Sequence, residues 1–322
     1  MRRKLLTLTA ALSAAALFGT ASQAQTFPDK PITFIVPFAA GSATDLLARA
    51  LAQAITVDTK ISVVVDNKPG ANAFIGAQAA AKAKPDGYTV LIATNTTHAA
   101  NEHLYKKLPY DPVKDFEPLT LLGRGGQIMV VNPALGVNSV AEFVKLAKSK
   151  PGKLSFGAGS SSSRIAGELF KQMAGAYIVA IPYRSNPPAV TDLIGGQIEM
   201  MITDMATGMP QVKAGKLKAL GVSTLQRSPL APEVPTISEA GVKGYEMTYW
   251  FAAYAPAGTP APVVTRLNEL LVKAAHSSTA ASFYQNTGTE ITTTTPDELR
   301  KVQASESLKW GKIIKSAGME PE

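Results

Sequence analysis

The sequence predicts an α/β protein of two domains built on largely parallel sheets. Three observations carry that reading. Short β-branched runs alternate with amphipathic segments, as strands do with crossover helices. A chain of 322 residues is longer than one hydrophobic core usually serves, and a hydrophobic content of 46% can supply two. Twice, a strand pattern passes through a turn of small residues directly into a helix pattern, first at Ile35–Asp45 and again beyond Leu154.

The chain starts with Met1-Arg2-Arg3-Lys4, followed by a mostly apolar, Ala-rich stretch from Leu5 to Phe18 and by Ser22-Gln23-Ala24, a small-x-small cleavage pattern. An apolar run of about 14 residues is short for a bilayer span, so residues 1–24 read as an export signal cleaved near Ala24. Its three cations leave with it, and the formal charge drops from +8 to +5. The remaining Lys and Arg are scattered singly, unlike the basic clusters with interleaved aromatics of nucleic-acid binders. With no cysteine, the chain has no disulfide, thiol nucleophile or Cys-based metal site.

Ile32–Val36 reads as the first strand, and Leu46, Leu47, Ala50, Leu51 and Ala54 share one face of the helix after it. A second strand over Ile61–Val65 stops at the turn signal Asn67-Lys68-Pro69-Gly70. A helix over Ile75–Ala83 and the turn Pro85-Asp86-Gly87 lead into a third strand, Tyr88–Ala93. A second block starts near Ile128–Val131. There Ser139-Val140-Ala141-Glu142 fits a capping box ahead of the Val140, Phe143, Val144, Ala147 stripe. Strand Leu154–Gly157 runs through Ala158–Arg164 into a helix over Ile165–Ala174. Strand Ile178–Pro182, helix Ala189–Ile194, strand Met200–Thr203, a short helix stopped at Gly215 and strand Leu217–Val222 follow. Tyr249–Ala255 is apolar and aromatic, Val263 to Ala274 is helical, and Thr295-Pro296-Asp297-Glu298 starts a last helix, with Pro at its first position.

The turn after the first strand can cradle an anion. A helix start presents unpaired N–H groups and the positive end of its dipole, and Gly41 and Ser42 let a ligand approach. Phe38, Ala39, Ala40, Gly41, Ser42, Thr44 and Asp45 are the site residues read there, Phe38 as a pocket wall and Asp45 as either a ligand contact or a first-turn acid. Ser160, Ser161 and Ser162 form the second half-site. Thr96 and His98 lie in the loop after the third strand, where a crevice is expected. Asp204, at the end of a strand, is expected to bond backbone N–H groups, water or the Tyr183-Arg184 region. Arg184 reads as a carboxylate partner or a hinge ion pair. The serine run also invites a serine hydrolase reading with His98 and Asp204, but Gly159-Ser160-Ser161-Ser162-Ser163 lacks the closing glycine of a nucleophile elbow. His98, Glu102 and His103 do not form a His-Glu-x-x-His motif, so no metal is expected.

Ile35–Asp45, together with Asn67–Ala71, Lys84–Thr89, Thr97–Asn101, Leu104-Tyr105, Ala166–Phe170, Pro182–Arg184, Asp192–Gln197 and Ala214–Leu220, resembles the tripartite tricarboxylate transporter substrate-binding receptors, the Bug-type periplasmic binding proteins. The resemblance runs in order along the mature chain. It implies a two-lobed periplasmic-binding-protein fold, each lobe a doubly wound sheet, with residues 25–124 plus 249–322 as one lobe and 125–248 as the other. It further implies a small carboxylate in the cleft, hinge closure around it, delivery to integral-membrane permease subunits, a monomer, a periplasmic location, no cofactor and no enzymatic turnover. An exported serine hydrolase acting on a small ester is the alternative. Two departures stand out: Asn72-Ala73-Phe74 replaces the usual Gly-Gly-small run, and Arg164 replaces a neutral residue or His. A guanidinium can clamp a carboxylate bidentately and Phe74 can pack on a ring, which points to an aromatic or other dicarboxylate, terephthalate-like in shape.

Overall fold

The computed structural model describes residues 27–322, so the export-signal reading of residues 1–24 lies outside the described residues. In chain order the elements are β1 (Ile32–Val36), α1 (Ala43–Thr59), β2 (Val63–Asn67), α2 (Phe74–Ala81), β3 (Thr89–Thr94), α3 (Asn101–Leu104) and the long β4 (Phe116–Val131). Next come α4 (Val140–Ser149), β5 (Ser155–Ala158), α5 (Ser161–Ala174), β6 (Val179–Pro182), α6 (Asn186–Ile194), β7 (Met200–Asp204), α7 (Met205–Lys213) and β8 (Lys218–Val222). The chain finishes with β9 (Thr248–Pro256), α8 (Ala261–Ala275), α9 (Ser278–Thr287) and α10 (Pro296–Ser316).

The strands follow one path, β2-β1-β3-β9-β4-β7-β5-β6, with β8 also paired to β4. In the first lobe β1 lies between β2 and β3, parallel to both, with Phe34 opposite Val65 and Val90. In the second, β5 lies parallel to β6 and β7. These are the parallel ladders the sequence predicts. Every ladder of β4 and β9 is antiparallel, because one strand carries the chain out of the first lobe and the other brings it back. β4 pairs with β9 up to Gly126, opposite Thr248, and from Gln127 onward with β7 and β8.

Two buried clusters lie within single lobes, and a third spans both. Leu47, Leu51 and Ile55 of α1 pack with Phe34, Val36 and Ile92 of the sheet and with Leu267 and Leu271 of α8. Ile128, Val130, Met201, Leu193 and Met209 form the corresponding cluster of the second lobe. Trp310 and Ile314 of α10 share a third cluster with Ile165 and Leu169 of α5, tying the last helix to the second lobe.

Capping decides where the helices start. Ser42 Oγ accepts the Asp45 N–H, and Thr295 with Glu298 makes a reciprocal capping box at α10. Ser160 and Ser163 do the same at α5, so the serine run is an N-cap and a first turn, and the helix begins four residues before the Ile165 the sequence suggests. The first part of β4 and all of α9 are absent from the sequence reading. Gly123, Gly125 and Gly126 interrupt the β-branched pattern of β4. Gly123 has φ of +156° and passes so near Glu290 that a Cβ there would stand 2.9 Å from its carbonyl oxygen. Among the described residues, no helix is long and apolar enough to cross a membrane and no three potential metal ligands gather.

Candidate functional site

The carboxyl ends of the parallel strands meet between the lobes around a cavity, the place where ligands enter sheets of this kind. Four strand-to-helix junctions contribute to its wall: Ser42, Ala43 and Thr44 at the start of α1, Ser160 and Ser162 at α5, Ser185 and Asn186 at α6, and Asp204 at α7. Ser42 Oγ takes the Asp45 N–H at 3.3 Å and Ser160 Oγ the Ser163 N–H at 3.2 Å. That leaves the N–H groups of Ala43, Thr44, Ser161 and Ser162, in the first turns of their helices, without intrahelical acceptors. At α7, Asp204 closes its own helix start, with Oδ1 accepting from Thr207 N (2.8 Å) and Thr207 Oγ1 (2.6 Å) and Oδ2 from Asn186 Nδ2 (2.7 Å).

Phe38, Tyr249 and Phe251 supply an apolar side to the wall, and among the described residues no Lys, Arg or His lines it. Thr96 Oγ1, Gln127 Oε1 and Asn186 Oδ1, all on wall residues, are buried without a hydrogen-bond partner among the described residues. Each such atom costs about 1–3 kcal/mol, a cost that a polar ligand completing the wall would offset. The arrangement favours an anion through main-chain dipoles and hydroxyls.

Polar side chains join the two lobes around the cavity. Ser161 Oγ donates to Asn101 Oδ1 at 2.7 Å, and Asn72 Nδ2 reaches both Asn101 Oδ1 (3.0 Å) and Ser161 Oγ. Asn95 Nδ2 donates to Ser162 Oγ, and the Ala39 N–H to Ser185 Oγ at 3.3 Å.

The model of the tripartite tricarboxylate transporter family receptor, TctC, matches residues 47–319. This chain belongs to that family. Its fold superposes on Rpa4515 of R. palustris, solved with adipate, with a TM-score of 0.89 at 35% identity, covering 92% of this chain and 100% of that one. The periplasmic binding protein BugD gives 0.88 at 31%, covering 92% and 100%. MatC from Rhodopseudomonas palustris, with bound malate, gives 0.84 at 27%, covering 89% and 100%. The receptor is therefore a two-lobed solute-binding protein and not an enzyme, of a family whose receptors are periplasmic and bind small carboxylates.

The receptor brings Phe38, Ser42, Thr44, Thr96, Ser160, Ser162 and Asp204 together on the cavity wall, while Ser161 stands at the lobe junction. Ala39 is occupied by Ser185, and Ala40 and Gly41 are exposed beside the turn. Asp45 lies behind it. Burial would raise its carboxyl, but hydrogen bonds from Arg49, Gly41 and Asn67 outweigh burial and hold it below the usual range. Through these bonds it supports the turn.

His98 is a core residue, stacked on Tyr254 with centroids 3.9 Å apart and edge-on to Phe116. Its Nδ1 meets Thr97 Oγ1 at 2.9 Å, and among the described hydrogen bonds no serine of the α5 cap reaches it, so the residues do not form a hydrolase triad. Burial pushes its pKa down to about 3. An unfolded histidine takes up a proton near pH 6.5, so the stability held by neutral His98 is complete above that pH and declines as the pH falls towards 3. The slope is on the order of 1 kcal/mol per pH unit. Chemical denaturation of His98→Phe between pH 7 and 4 should show a correspondingly shallower acid decline than the wild type; equal slopes would contradict this role.

Phe74, Arg164, Tyr183 and Arg184 line a different, outer cleft. Arg164 pairs with Glu322 at 2.5 Å and faces this outer cleft, not the central cavity. Tyr183 donates to Asp192 Oδ2 at 2.8 Å, and Arg184 makes no ion pair among the described residues, against the hinge pair weighed for it. Asn95, Gln127, Ser185, Asn186, Tyr249 and Phe251 are wall residues that the sequence reading missed. Ser185-Asn186-Pro187-Pro188 carried a usable signal, a cap followed by Pro in the first turn.

Proposed function

We propose that this receptor binds a small dicarboxylate with an apolar spacer in the interlobe cavity. One carboxylate meets the Ala43 and Thr44 amides of the first lobe, and the other meets the Ser161 and Ser162 amides of the second. The observation that carries the reading is a wall built from serine-capped helix starts, without a cationic side chain among the described residues, around three aromatic rings. Phe38, Tyr249 and Phe251 suit either methylenes or a benzene ring, so adipate-like and terephthalate-like acids both fall in the class. Relatives solved with adipate and malate support it.

The remaining parts of the proposal follow from the family. The chain is exported to the periplasm after cleavage near Ala24 and works as a monomer. It hands its ligand to the integral-membrane permease of a tripartite tricarboxylate-type transporter. Residues 25–124 with 249–322 and residues 125–248 act as the two bodies of a hinge, and opening them separates Asn72 and Asn101 from Ser161.

Titration calorimetry of the mature chain against adipate, malate, terephthalate, citrate and adipate dimethyl ester tests the function. At least one dicarboxylate should bind one to one, with the diester weaker by at least about tenfold, the value of a charge-assisted hydrogen bond. Equal binding of acid and diester, or no binding of any acid, would refute the proposal.

A further inference from the structure

A second space lies outside the central cavity, separated from it by Ser160, which touches both. Phe74, Tyr105, Arg164, Tyr183, Arg184 and Glu322 are among the residues that line it. Its chemistry is the reverse of the inner cavity's. Two arginines share it with a ring pair in which Phe74 stands edge-on to Tyr105, with centroids 4.8 Å apart.

Arg164 Nη2 is held by a single carboxylate oxygen, Glu322 Oε1 at 2.5 Å, and Arg184 has no acidic partner among the described residues. A guanidinium offers five donors in a planar fork suited to a carboxylate, so most of the donor capacity here is unused. Glu322 is fixed through its backbone, accepting from Lys106 N and donating to Leu104 O, both at 2.9 Å. Its side chain, half exposed, is the only part that must move to free Arg164.

We infer that the outer cleft is a second binding site, specific for aromatic monocarboxylates, in which the ligand's carboxylate replaces the Glu322 side chain on Arg164 and also engages Arg184, with its ring on Phe74. Glu322 is then a tethered competitor for the same guanidinium. Benzoate is the probe. Calorimetry on the mature full chain should show Glu322→Gln binding benzoate several-fold more tightly than the wild type. Arg164→Gln and Arg184→Gln should each weaken it at least about tenfold, as loss of charge-assisted hydrogen bonds requires. Ala43→Pro, which alters the central cavity, should leave benzoate binding unchanged. Melting temperatures near the wild-type value establish that the variants fold. The inference is overturned if benzoate fails to bind Glu322→Gln, if the two arginine variants bind it as the wild type does, or if Ala43→Pro abolishes its binding.

Discussion

Ala43→Pro is expected to weaken dicarboxylate binding by about 10- to 100-fold, the loss of one charge-assisted hydrogen bond of roughly 1.5–3 kcal/mol, with the melting temperature nearly unchanged. Ala43 is the first residue of α1, a position where proline is well tolerated because its missing N–H has no intrahelical acceptor. The preceding Ser42 already has φ −70° and ψ 158°, the extended conformation that a following proline requires. The substitution therefore deletes a main-chain donor from the cavity wall and leaves the helix in place. Few changes separate backbone recognition from side-chain recognition as cleanly. Calorimetry alongside a thermal melt reads both effects, and an unchanged affinity would mean that the α1 amides do not hold the ligand.

Gly159→Ala should abolish measurable binding and destabilise the second lobe. Gly159 lies between β5 and α5, where the chain passes the β6–α6 junction so closely that a Cβ would stand 2.4 Å from both Ser185 C and Asn186 N. The obstacle is backbone, so no rotamer change relieves it. The two helix starts must move apart, which carries Ser160 and Ser162 away from Asn186 and spoils the half-site they form. Overpacking of this kind costs about 1–3 kcal/mol of stability. A denaturant midpoint lower than wild type with affinity lost is the expected pair of results; wild-type affinity would show that the close approach is dispensable.

Much of this architecture is legible in the sequence because local signals agree with the final packing. The small-residue turn at Gly41-Ser42, the serine run at 160–163 and the Thr295–Glu298 box all sit at real helix starts. The wall residues contributed by β4 and β9 were not legible. Gln127, Tyr249 and Phe251 reach the cavity only because those two strands pair antiparallel where the lobes join, and nothing local in either segment reports that pairing. Phe74 and Arg164 were picked out by sequence, but nothing local shows that they line the outer cleft and not the central cavity: Arg164 is one turn into α5 and pairs with Glu322, a residue far away in sequence. Asp45 could be read either way from sequence alone, and what sequence does not show is its pair of hydrogen bonds from Arg49 and Asn67, which support the turn.

A crystal structure of the mature receptor with a bound dicarboxylate tests main-chain recognition most directly. The account predicts carboxylate oxygens within about 3 Å of the Ala43 and Thr44 nitrogens at one end and of the Ser161 and Ser162 nitrogens at the other, with no arginine or lysine in contact. A dicarboxylate held by Arg164 or Arg184 in the outer cleft, with the helix starts unengaged, would contradict it.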